Sequence, residues 1–125
     1  MKKIKIIIND KEWEAELNET NTANDIYDEL SLEALTKRWG DEIYFGIPLH
    51  MEPDETATQI VNKGDIAFWP EDDCFCIFFG ATPISSENEI KAASKVNITG
   101  KITKGSLEDF KKVEDNEKVR LEKGN

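Results

Sequence analysis

The sequence predicts a mainly β protein: a closed barrel of about eight strands, one short helix plugging an end and a second short helix near the C-terminus. Three observations lead there. Apolar and polar residues alternate at period two in segments from Ile4 to Leu121, as half-buried strands require. A three-turn helical spacing occurs once, between Thr22 and Leu30. Finally, the stretch Gly64 to Pro83 reads GDIAFWPEDDCFCIFFGATP and holds five of the chain's eleven aromatic residues. Its two apolar runs, Ile66–Trp69 and Phe75–Phe79, flank a polar break at Pro70-Glu71-Asp72-Asp73, which reads as a hairpin in the middle of the β core. Closing a sheet into a barrel removes edges that would otherwise pair with other chains.

The elements follow in order. Ile4, Ile6 and Ile8 share one face of a first strand. Asn9-Asp10-Lys11 turns it into a second, where Trp13, Ala15 and Leu17 alternate with Glu12, Glu14 and Glu16, leaving an acidic face toward solvent. Asn21 or Thr22 is expected to cap the helix, whose apolar stripe is Ala23, Ile26, Tyr27 and Leu30, with Asp25 in its first turn. Leu32 to Trp39 reads as extended and Gly40-Asp41 as a turn. Glu42 to Ile47 is the next strand, with Ile43, Phe45 and Ile47 on one face and Glu42 and Tyr44 on the other; Pro48 ends it. Leu49 to Asn62 reads as a long acidic loop, and a connection of that length is often functional. Beyond the central hairpin, Ile84 to Lys95 reads as a polar loop and Val96, Ile98, Gly100 and Ile102 as a strand. Ser106 is placed to cap a short helix docked by Leu107 and Phe110, and Val119 and Leu121 mark a last strand.

Composition bounds the function. The 125 residues fit one domain, 1–125, with a single core. With 26 acidic and 16 basic residues the formal charge is −10, a surface that repels nucleic acid and anionic membranes. Neither is expected as a partner. The run after Lys2-Lys3 is too short for a signal peptide and no stretch approaches a membrane span, so a cytoplasmic location is expected. Cys74 and Cys76, with His50 the only histidine, fall short of a four-ligand zinc site; they read as reduced, partly buried thiols, and no metal or cofactor is expected.

Four segments carry a resemblance. Arg38-Trp39-Gly40-Asp41-Glu42-Ile43-Tyr44-Phe45, Gly64-Asp65-Ile66-Ala67-Phe68-Trp69-Pro70, Cys76-Ile77-Phe78-Phe79-Gly80-Ala81-Thr82-Pro83 and Val96-Asn97-Ile98-Thr99-Gly100-Lys101-Ile102 resemble the small prokaryotic cyclophilin-like family, whose members are largely uncharacterised. The resemblance implies the barrel. In true cyclophilins, which are prolyl isomerases, a strand carrying the catalytic arginine continues into I-P-x-x-M. Ile47-Pro48-Leu49-His50-Met51 is similar, which sets Phe45 at the arginine's position, His50 at the pocket aromatic and Met51 at the pocket methionine. The adjoining hairpin would contribute Trp69, Phe75 and Ile77, with Arg38 on the rim.

Phenylalanine donates nothing to a twisting amide, so three readings stand. One is a binding module whose apolar groove (Phe45, Met51, Trp69, Phe75 and Ile77, rimmed by His50 and Arg38) takes a small molecule or peptide. Another is a weak or atypical isomerase, and the third an acidic subunit docking a partner through Glu12, Glu14 and Glu16.

Overall fold

In the computed structural model, which describes residues 2–124, the first hairpin forms as its alternation demands. β1 (Lys3–Ile8) and β2 (Lys11–Leu17) pair antiparallel with Ile8 opposite Lys11, so the turn is the two residues Asn9-Asp10, and Asn9 takes the left-handed conformation (φ 56°) that asparagine tolerates. Ile4, Ile6, Ile8, Trp13, Ala15 and Leu17 are all buried on the inner face.

The helix α1 spans Asn21–Glu29, and its cap is Thr20 rather than Asn21 or Thr22. The Thr20 hydroxyl accepts from the Ala23 N–H (3.1 Å) and donates to the Asn18 side-chain carbonyl (2.7 Å). With that start Asp25 lies beyond the first turn, so the expected dipole contact is lost. Ala23 and Ile26 are buried in the inner core, while Tyr27 lies at its edge with the Lys2 and Lys123 ammonium groups each 4.9 Å from its ring centre.

Among the described residues ten antiparallel strands make up the sheet rather than about eight. The extended run after α1 divides at Thr36 into β3 (Leu32–Leu35) and β4 (Lys37–Trp39). β5 is Glu42–Gly46, and the segment read as one long loop contains β6 (Thr58–Val61). β7 (Asp65–Trp69) and β8 (Cys74–Phe78) form the central hairpin, β9 (Ile90–Lys104) starts well before Val96, and β10 is Lys118–Lys123. The order is β3-β10-β1-β2-β9-β7-β8-β5-β4, with β6 paired to β9.

The hydrogen-bonded sheet is therefore an open path, not the expected closed barrel; its two end strands, β3 and β4, are consecutive in the chain. The physical reason lies at Thr36, which is fully buried. Its N–H donates to the Glu117 carbonyl (2.8 Å) and its carbonyl accepts from the Asn116 N–H (2.7 Å). Its hydroxyl donates to the Glu114 carbonyl (2.7 Å) and accepts from the Glu117 N–H (2.9 Å). These bonds tie Thr36 to the segment before β10, and the chain leaves β10 there to join β5.

The second helix is a 3₁₀ helix, Leu107–Lys112, and the Ser106 hydroxyl makes no cap bond. Instead the Ser106 carbonyl accepts from the Trp13 indole N–H (2.8 Å), and Phe110 stacks on Trp13 with ring centres 4.0 Å apart. Gly105 makes this approach possible. Its φ is +103°, and a Cβ there would lie 2.5 Å from Trp13 Cδ1.

Apolar residues fill two layers. The inner layer holds Phe45, Phe68, Phe75, Ile77 and Phe79 with the β1–β2 residues and α1. The other face of the same strands carries a second cluster of Val61, Ala67, Cys74, Cys76, Phe78, Ala92 and Val96, drawn from β6, β7, β8 and β9. Every residue of β8 is buried, as in a strand covered on both faces.

Candidate functional site

The second layer opens into a cleft of about 280 Å³ lined by Trp39, Glu42, Tyr44, Trp69, Ala92, Ala93 and Val96. Local geometry places the first three. Gly40 (φ +58°) makes the tight turn between β4 and β5, where a Cβ would lie 2.8 Å from Pro83 Cδ. The register then sets Trp39 opposite Glu42, and Tyr44, two residues on, shares the Glu42 face. Trp69 ends β7 opposite Cys74, on the face also occupied by Ala67. β9 supplies small residues, Ala92, Ala93 and Val96, which leave the space open.

Two of the aromatic rings are held in place. Trp69 and Tyr44 meet edge to face, 6.2 Å between centres at 86°. The Trp69 indole N–H donates to the Ser94 hydroxyl (2.6 Å), which donates to a Glu71 carboxylate oxygen (2.7 Å). The only polar donor of Trp69 is thereby occupied, and its ring is what remains for the cleft.

Glu42 is the chemically distinctive group. It is only 5% exposed, and among the described residues no lysine, arginine or histidine forms an ion pair with it. Burial raises its carboxyl to about 7, against the opposing pull of a hydrogen bond with the Cys76 side chain. The Tyr44 phenol is also raised, first by burial and then by the nearby Cys74 and Glu42. Both thiols are free; burial first, then neighbouring acidic groups, pushes Cys74 up to about 12 and Cys76 well above the ordinary thiol value. Thiols held protonated in this way are poor nucleophiles. Among the described residues no group of three or more His, Cys, Asp or Glu is arranged to hold a metal ion.

The residues of the groove expected from sequence do not form one lining: four of its apolar members pack together in the inner core, and Trp69 lies on the opposite face. Phe45, Phe75 and Ile77 are core: Phe45 is 2% exposed and stacks on Phe75 with ring centres 5.3 Å apart. They lie on the inner face, whereas Trp69 lies on the outer one, because strand parity sends them opposite ways. Met51 is partly buried against the inner cluster. His50 stands 61% exposed between Asp73 (Nδ1, 2.7 Å) and Glu52 (Nε2, 2.6 Å), whose hydrogen bonds, Asp73 first, raise its pKa. Arg38 binds backbone: Nη1 donates to the Val113 carbonyl (2.7 Å), Nε and Nη2 to that of Gly40 (3.0 and 2.8 Å), and the guanidinium lies 5.0 Å from the Phe79 ring centre. Of the expected set only Trp69 lines the cleft. Trp39, Glu42 and Tyr44 were absent from that set, and a signal for the face they occupy was present: Cys74 to Phe79 contains no polar residue, which a strand exposed on one face would not tolerate.

The acidic face of β2 is mixed in charge, with Glu14 paired to Lys3 (3.8 Å) and Lys104 (4.0 Å), and Glu12 to Lys5 (4.0 Å). Among the described residues no helix is long and apolar enough to cross a membrane.

Fold and sequence together define a class. The chain belongs to the cyclophilin-like family, whose model matches residues 2–122. It is similar to the solution structure of the hypothetical protein AF2241 from Archaeoglobus fulgidus, with 36% identity and a TM-score of 0.83 over 98% of this chain and 95% of that one. It is also similar to the structure of McbB in complex with tryptophan, with 9% identity and a TM-score of 0.66 over 95% of this chain and 44% of that one. The second likeness is one of fold alone. No curated protein matches the sequence.

Proposed function

We propose that this cyclophilin-like domain is a small-molecule binding module whose site is the outer-face cleft rather than a groove on the inner strands. One observation carries the reading. A cleft of about 280 Å³ is walled by two tryptophans and a tyrosine around a buried carboxyl group. Ligand sites combine apolar and aromatic walls with a few placed polar groups, and their volumes start at about 300 Å³. The space suits a compact molecule, or one side chain of a peptide, rather than an extended segment. Aromatic walls supply contact area at little entropic cost, and the edge-to-face packing of Tyr44 on Trp69 pre-organises part of it.

The test is a screen of small aromatic and aliphatic fragments followed by nitrogen–proton spectra. Binding is expected to move the Trp69 indole signal, identified by its loss in Trp69→Phe. Trp69→Ala is expected to weaken binding by about 1–3 kcal/mol. Shifts confined to Trp13, which is core, or to exposed loops would remove the cleft as the site.

A further inference from the structure

The charge of the ligand is written into the cleft. Trp39, Tyr44 and Trp69 present aromatic surface, whose faces carry the negative end of a quadrupole. Trp69 has already given its N–H to Ser94, so it has no donor left for an anion or a carbonyl. Glu42 is buried beside these rings and no cationic side chain of the described residues pairs with it. A buried carboxylate without a partner is costly, and a neutral ligand would leave it so; an anionic ligand would add repulsion. The chain's formal charge of −10 acts in the same direction by concentrating cations around it.

We propose that the cleft takes a small organic cation, an alkylammonium or quaternary ammonium group, seated against Trp39, Tyr44 and Trp69 with Glu42 as its counter-charge. The inference rests on the cleft being a ligand site, as argued above. The titratable groups around Glu42 are the Cys76 and Cys74 thiols of β8 and the Tyr44 phenol of its own strand; beyond them Asp72 of the β7–β8 turn acts on both thiols and on Tyr44, Asp73 of the same turn on Cys74, and Asp115, before β10, on Tyr44. At the cleft β9 contributes only Ala92, Ala93 and Val96, and β4 contributes Trp39. Ionised Glu42 is the counter-charge, so cation affinity rises with pH through the range in which Glu42 loses its proton.

Three probes separate the possibilities: choline, its uncharged carbon analogue 3,3-dimethylbutan-1-ol, and indole as a neutral aromatic. Each is titrated at pH 8 and pH 5.5 by calorimetry and by the Trp69 indole signal. Choline is expected to bind at least about tenfold tighter than the alcohol at pH 8, a preference worth about 1.4 kcal/mol. That preference is expected to shrink about tenfold at pH 5.5 and to disappear in Glu42→Gln. Equal binding of choline and the alcohol overturns the inference, and so does a preference that survives both acid pH and Glu42→Gln. The pH series needs only the unmodified protein, so poor folding of the variant does not remove the test. If indole moves the Trp69 signal and choline does not, the cation inference falls and the binding site stands. If none of the three moves it, both fall.

Discussion

Replacing Glu42 by Gln is expected to stabilise the protein at pH 8 and to leave it nearly unchanged at pH 4. The magnitude follows from the burial of the carboxyl group. Glu42 is 5% exposed, and its pKa rises from 4.5 to about 7 because the ionised form loses hydration without gaining an ionic partner. Each pKa unit corresponds to about 1.36 kcal/mol, so ionised Glu42 costs the folded state roughly 3 kcal/mol. The sign runs one way only. Between pH 4.5 and about 7 the folded chain holds a proton here that the unfolded chain has released, so stability from this site falls as pH rises; it is greatest below 4.5 and fully lost above 7. Gln keeps the shape, retains an acceptor toward Cys76 and carries no charge. Its own amide is partly desolvated, so the expected gain at pH 8 is on the order of 1–3 kcal/mol. Urea denaturation of both proteins at half-unit steps from pH 4 to pH 8.5 checks this; with a typical slope of about 1–3 kcal/mol/M the midpoints at pH 8 separate by roughly 1 M. Other carboxylates titrate alike in the two proteins and cancel in the difference curve. A difference that does not vary with pH, or a Gln variant less stable at pH 8, would refute the reasoning.

Gly105→Ala is expected to destabilise by about 2–4 kcal/mol, because φ is +103° and the new methyl meets Trp13; a loss below about 0.5 kcal/mol in urea unfolding would mean that the Trp13–Phe110 stack shifts freely. Cys74 and Cys76 are expected to resist a thiol-modifying reagent at pH 8 in the native protein and to react fully in denaturant; rapid native labelling would contradict their burial and raised pKa values. Prolyl peptides are expected to isomerise at the uncatalysed rate. Phe45 is locked in the core, and the Arg38 guanidinium is engaged by the Gly40 and Val113 carbonyls; enzyme-like acceleration would show that this guanidinium is released to substrate.

Strand parity was legible from the sequence because it is a local property of the backbone: neighbours point to opposite faces, so a run of alternating residues states which of them go in. Ile4, Ile6 and Ile8, then Trp13, Ala15 and Leu17, and Phe45 with Phe75 and Ile77 are buried on one face as that rule requires. The helix was visible in its 3.6-residue stripe, though its cap moved to Thr20 because Asn18 holds the Thr20 hydroxyl. The family was visible in four short segments spread through the chain. Only the tertiary structure decided what covers the other face. Glu42 follows Asp41 and by composition looks like a solvated acid. It is buried because β5 pairs with β8 and because β9 crosses the outer face with Ala92, Ala93 and Val96, far along the chain. The same holds at Thr36, an ordinary residue in an extended run until its four hydrogen bonds tie it to Glu114, Asn116 and Glu117 and split the strand. Alternation along a strand reports which side a residue is on; whether that side meets water depends on segments the local pattern does not contain.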